Sequence, residues 1–299
     1  MSTVHTAPPV SSPTAPGNLR AGQGAGIGLV LGGLLSQEFG AALATSLFPR
    51  VGAAGVVTLR LVLSALVLLA VCRPGIRGRG YRRADWAAVV AFGAAVAGMN
   101  LLFYQSIARI PLGTAVTFEV LGPLLLSVVL ARRAASWLWA ALALAGVALL
   151  SRGGLGQLDG AGVAFALGAG ALWAAYILLS AHTGGRFPKT DGLALAMAVA
   201  AVISLPIGAA SSGSALLNPV TLGLGAAVAV LSSAIPYSLE LLALRRVVPS
   251  VFGVLSTLAP AVAAVAGYLV LGQTLSLLDV GAVALVVAAS AGAALASGR

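Results

Sequence analysis

The chain is a succession of apolar stretches, each close to the length that crosses a bilayer, joined by loops too short to fold alone. A spanning helix needs about 17–25 residues, and stretches of that kind fall at 24–46, 51–72, 86–107, 112–131, 135–151, 160–181, 192–210, 218–241, 250–271 and 276–296. Lipid offers a backbone no hydrogen-bond partners, so segments of this length must be helices. Composition agrees: 60% hydrophobic and 8% charged residues, with a mean hydropathy of +1.05, lie well outside soluble domains, where roughly half the residues are apolar. The predicted class is an all-α polytopic membrane protein of ten transmembrane helices. Residues 1–23 are rich in Ser, Thr, Pro, Gly and Ala. They lack the basic start and apolar core of a secretory signal and read as a disordered cytoplasmic tail.

The second half repeats the first. Ala97–Val129 holds two apolar segments around the turn Arg109-Ile110-Pro111-Leu112-Gly113, and Ala229–Val270 again holds a span, a basic turn with Pro249, and a span with internal Pro260. Setting Pro123 against Pro260 places Glu119 opposite Ser256, and Gly28–Ser46 aligns without gaps on Gly162–Ser180. The expected domains are a five-helix repeat at 24–151 and a second at 160–297.

Basic residues give the orientation, because cytoplasmic loops retain Lys and Arg. With the N-terminus inside, Arg20, Arg73, Arg77, Arg79, Arg82, Arg83, Arg132, Arg133, Arg186, Lys189, Arg245, Arg246 and Arg299 are cytoplasmic, and only Arg50, Arg109 and Arg152 lie outside. An odd number of spans per half then makes the repeats inverted copies with both termini cytoplasmic, an arrangement of many secondary transporters. The net charge of +10 follows from this topology and from attraction to anionic membrane lipids, with no nucleic-acid partner required.

Several function classes drop out. Cys72 is the single cysteine, which excludes an internal disulfide and a cysteine-based metal cluster. His5 lies in the tail and His182 at a span end, a poor basis for a metal site. No Ser/His/Asp set, His-rich motif or phosphate loop is present, so no enzyme, metal or cofactor is expected. Function must lie inside the bundle.

The ionisable residues within the spans are Glu38, Arg60, Glu119 and, near a span end, Glu240. A charge at the bilayer centre costs about 2.5–3.5 kcal/mol on insertion scales, which points to function, although Arg60 could instead pair with a carboxylate to fix helix packing and Glu240 could pair with Arg245. Pro123 has no N–H for the carbonyl of Glu119 four residues earlier, so a freed main-chain oxygen is expected beside that carboxyl. Pro236 does the same for Ser232, next to Tyr237. Asn100 and Tyr104 share one helical face. With Gln105, Trp173, Tyr176 and Tyr237 they supply hydrogen-bonding and stacking groups for a small polar solute; for Tyr176 and Tyr268 an interfacial belt is the other reading. Glu38 follows Gln37 on a helix whose Gly24, Gly28 and Gly32 form a close-packing stripe.

LFPRVGAAGVVTLRL, GMNLLFYQSIARIPLGTAV, FEVLGPL, ALGAGALWAAYIL, SSAIPYSLELLAL and GVLSTLAPAVAAVAGYLVLGQTLS resemble, in order and spacing, the threonine/homoserine exporters of the EamA branch of the drug/metabolite transporter superfamily. The resemblance runs from about Leu34 to the last span. It implies two inverted five-helix repeats around a central cavity, a bacterial inner-membrane location and proton-coupled export of small amino acids. Gln37, Arg60, Asn100, Tyr104, Glu119 and Glu240 keep the family pattern. Ala259 and Gln273 stand where the relatives usually carry Glu, leaving fewer candidate proton carriers. In the expected mechanism Glu119 takes a proton outside and releases it inside while an amino-acid zwitterion moves outward. Glu119 and freed carbonyls would meet the ammonium, and Arg60 or Asn100 the carboxylate. A broad-specificity metabolite or drug exporter on the same fold is the alternative.

Overall fold

A computed structural model of the chain describes residues 16–75, 80–131, 134–152, 159–188, 190–244, 246 and 255–297, and every regular element among the described residues is helical. The first half consists of α1 (Pro16–Thr45), α2 (Phe48–Cys72), α3 (Arg83–Ile107), α4 (Leu112–Glu119), α5 (Leu121–Ala131) and α6 (Ala134–Arg152). The second consists of α7 (Gly160–Gly184), α8 (Asp191–Ser212), α9 (Pro219–Ala229), α10 (Ile235–Leu244), α11 (Ala259–Leu271) and α12 (Leu277–Ser297). A 3-10 turn, Gly213–Leu217, precedes α9, and a π turn, Val230–Ala234, joins α9 to α10. Among the described residues, five helical segments are long and apolar enough to cross a membrane: Gly24–Thr45, Phe48–Cys72, Arg83–Ile107, Gly160–Gly184 and Asp191–Leu217. The remaining apolar helices are shorter because they are interrupted or run into residues outside the described set.

The interruptions follow the prolines. The span expected at 112–131 divides into α4 and α5, with Val120 outside both. In the second half α11 begins at Ala259, with Pro260 in its first turn and Thr257-Leu258 in a turn before it. Each break falls within the four residues before its proline, where the missing N–H weakens the ladder. At the other end of the chain, α1 starts at Pro16, eight residues before the expected span and inside the stretch expected to be disordered. Proline suits a first helical position, and Leu19, Arg20 and Ala21 sustain a helix. Residues 1–15 lie outside the described set.

The bundle is built by pairing helices across the two halves. α2 packs on α8, α3 on α7, α6 on α12 and α4 on α11, while α1 lies along α9, the π turn and α10. Exchange of the halves returns this pattern to itself: the α2/α8, α4/α11 and α6/α12 pairs map onto themselves, and the α3/α7 pair maps onto α1 with the α9–α10 rod. The glycine contacts show where backbones approach. Among the described residues, added Cβ atoms at Gly24 and Gly28 would meet nothing, whereas one at Gly33 would lie 3.6 Å from Leu239 Cβ and one at Gly40 would lie 3.0 Å from Ser232 Cβ. The close-packing face of α1 is therefore Gly33-Ser36-Gly40, with Gly32 of the expected Gly24-Gly28-Gly32 stripe at its margin, 3.6 Å from Leu239 Cδ1, because α1 meets α10 at Gly33 and the π turn at Ser36 and Gly40.

Candidate functional site

Where α1, α2, α3, α4 and the π turn converge, the polar residues of the spans collect around Arg60. Its Nη1 donates to Asn100 Oδ1 at 2.8 Å and to the Tyr104 hydroxyl at 3.4 Å, and its guanidinium carbon lies 5.7 Å from the centre of the Tyr104 ring. Nη2 donates to the carbonyl of Ser232 at 3.0 Å, and Nε to Ser233 Oγ at 3.4 Å. A guanidinium is a planar fork of fixed donors, and here its faces and edges are distributed between α3 of the first half and the π turn of the second.

The partners are themselves held. Asn100 is buried and gives its amide N–H to the carbonyl of Val96 at 2.8 Å, one turn back, which turns Oδ1 toward Arg60. Tyr104 is fully buried between Phe48 and Phe103, with ring centres 6.1 and 5.9 Å away. The carbonyl of Ser232 is the one that Pro236 leaves without its helical partner, so the proline spacing and the π turn together supply the oxygen that Arg60 grips. Ser232 and Ser233 are both buried. Serine 36 on α1 performs the same service one residue earlier, its hydroxyl donating to the carbonyl of Leu231 at 2.6 Å.

Two carboxylates border this network. Glu38 on α1 is buried, next to the exposed Gln37. Glu119 closes α4 and is partly exposed. Both interact electrostatically with Arg60, and Glu119 also with Glu38. The main-chain oxygen of Glu119 takes a different direction from the one the sequence implied. It lies against Gly170 of α7, where an added Cβ would collide with it, and Gly122 meets the carbonyl of the same Gly170. The carbonyl before Pro123 thus lies within the close crossing of the α4–α5 break with α7.

Glu38, Arg60, Asn100, Tyr104 and Glu119 come together, with Gln37 next to Glu38 on α1. Trp173 and Tyr176 are partly exposed on α7, and the Tyr176 ring packs 5.2 Å from Phe92. Gln105 turns to Arg109, whose Nη1 donates to its Oε1 at 2.6 Å. The side chains of Tyr237 and Glu240, on α10, lie outside the described residues. Sequence reasoning missed Ser233 and Ser36, because a π turn has no sequence signature. It also missed that Gln273 Oε1 accepts from the backbone N–H of Leu112 at 3.1 Å, capping the start of the short α4 that ends in Glu119.

The arrangement offers one fixed cation, two carboxyl groups and several neutral acceptors, which complements a molecule carrying both an anionic and a cationic end.

Comparison with known proteins gives a consistent picture. The sequence pattern of the EamA-like transporter family matches residues 160–295. The threonine/homoserine exporter RhtA of Salmonella typhimurium strain LT2 is 44% identical over 263 residues, covering 87% of this chain and 88% of that protein. The threonine/homoserine exporter RhtA of Escherichia coli strain K12 is 42% identical over 270 residues, covering 89% and 90%. A crystal structure of a protein 21% identical to this chain superposes with a TM-score of 0.51, covering 92% of this chain and 96% of that one, and so shares its fold.

Proposed function

The chain belongs to the EamA-like transporter family, and from that premise we propose that it exports small amino acids of the threonine and homoserine kind across the bacterial inner membrane. It is a transporter and not an enzyme. The observation that carries the reading is the Arg60 network. A guanidinium fixed by Asn100 and Tyr104 can take an α-carboxylate, and Glu38 and Glu119, within reach of its field, can take the ammonium. Near 40% identity over nearly the whole chain to threonine/homoserine exporters supports this substrate class.

Export is driven by proton antiport, with Glu119 the carrier. It is the carboxyl at the break between α4 and α5, where a short helix can reorient, and its partial exposure gives protons and substrate access. The fold is ten spans in two inverted five-helix repeats. The self-mapping pairing of helices and the matched breaks before Pro123 and Pro260 support it, as does the bias of basic residues, which puts both termini in the cytoplasm. Alternating access then comes from one repeat moving against the other.

Labelled threonine or homoserine should accumulate in inverted vesicles when their interior is acidified, since that interior corresponds to the outside of the cell. Absence of uptake, with the protein shown to be inserted, refutes amino-acid export. Uptake indifferent to the gradient refutes antiport. A broad-specificity metabolite exporter is the second reading, and effective competition by unrelated solutes in the same assay would favour it.

A further inference from the structure

Ser232 and Ser233 sit on the face of Arg60 that best fits a carboxylate. The Nε–Nη2 edge of a guanidinium presents two nearly parallel N–H bonds, spaced to meet two oxygens side by side. In this structure that edge donates to two neutral oxygens of the π turn, the Ser232 carbonyl on Nη2 at 3.0 Å and the Ser233 hydroxyl on Nε at 3.4 Å. The turn is shaped to offer them. Ile235 sends its N–H back five residues to Val230, Pro236 has no N–H to send, and the carbonyls of Leu231 and Ser232 are taken by Ser36 and Arg60 from the other half.

We propose that the π turn is an internal stand-in for the substrate's carboxylate. Arg60 grips the turn when the site is empty and transfers its Nε–Nη2 edge to the substrate when it is filled. A carboxylate wins that exchange because it adds a full opposite charge and meets both N–H bonds with one rigid group, where the turn offers two separate neutral oxygens. The transfer releases the turn from α2 and loosens the seam where α1 lies along α10, so occupancy is coupled to movement of one half against the other. Solutes without a carboxylate leave the grip in place. Ser233 is then a positioning residue that sets how much affinity a substrate must supply. The proposal rests on the reading that Arg60 binds the carboxylate of an exported amino acid.

The seam can be watched directly. In the full-length protein with Cys72→Ser, the double replacement Gly33→Cys and Leu239→Cys puts two thiols where the Cβ separation is 3.6 Å, within the range of about 3.5–4.5 Å that a disulfide needs. L-Threonine should slow cross-linking by a mild oxidant, and threoninol, the same molecule with its carboxyl reduced, should not. Equal protection by threoninol overturns the stand-in role. So does an unchanged cross-linking rate in protein that still binds labelled threonine, a result that leaves the export reading intact; failure to bind or export threonine in the parent protein removes that reading itself. Should the cysteine pair misfold, Ser233→Ala serves alone. Loss of one neutral competitor should tighten threonine binding by about fivefold, whereas unchanged or weaker binding overturns the proposal.

Discussion

Arg60 Nη1 and Asn100 Oδ1 lie 2.8 Å apart, and the amide is locked in that orientation by its own bond to Val96. The guanidinium reaches α3 and the π turn at the same time, which a single ammonium cannot. Arg60→Lys should therefore reduce threonine export about as severely as Arg60→Leu, by roughly tenfold or more, while insertion stays normal. Initial rates in inverted vesicles, normalised to inserted protein, give the answer. Near-normal export by Arg60→Leu would make the residue a packing element.

Glu119 and Glu38 feel each other and Arg60, but only Glu119 stands at a break in its helix. Glu119→Gln should abolish accumulation driven by an acid vesicle interior while keeping exchange of labelled for unlabelled threonine, since exchange needs no net proton movement. Glu38→Gln should lower both activities together, because it alters the field around Arg60. Side-by-side counterflow and gradient-driven assays separate the two outcomes. Gradient-driven accumulation by Glu119→Gln would remove it as the carrier.

The crossing of the α4–α5 break with α7 leaves no room for a side chain at Gly122 or Gly170. Gly170→Val should cost about 1–3 kcal/mol through overpacking, read as a lowered melting temperature in detergent. Gly28→Ala, where an added methyl meets nothing among the described residues, should leave it unchanged.

Gln273 caps α4 with its side-chain oxygen. Gln273→Ala should cost about 0.5–2 kcal/mol, the range for loss of a helix cap, and should disturb transport because the other end of α4 carries Glu119. Gln273→Glu keeps an acceptor for the Leu112 N–H and should restore thermal stability. A melting series with these two variants tests the cap.

Much of this was legible in the chain itself. Apolar runs of spanning length fall on the five long apolar helices among the described residues, and the four-residue spacing before Pro236 foretold a carbonyl on Ser232 looking for a donor. Asn100 and Tyr104 were placed on one face by their separation, and Arg60 engages both. Local spacing could not say which donor crosses from another helix, so the grip of Arg60 on the π turn was invisible, as was the turn itself. The same limit explains Glu119. Pro123 denies its carbonyl the N–H four residues on, but only the approach of Gly170 decides that this oxygen is covered by α7. Of the glycine stripe on α1 only Gly32 meets a partner among the described residues, beside Gly33 and Gly40, because small residues recur all along that helix and the shape of the partner chooses among them.

Val120 and the pair Thr257-Leu258 leave two rods already jointed at matching points in the two halves. A jointed rod can flex without melting a turn, since the hydrogen bond that would resist bending was never formed. The elastic cost of bending either rod is thereby lowered in the sequence itself by two prolines, before any substrate arrives.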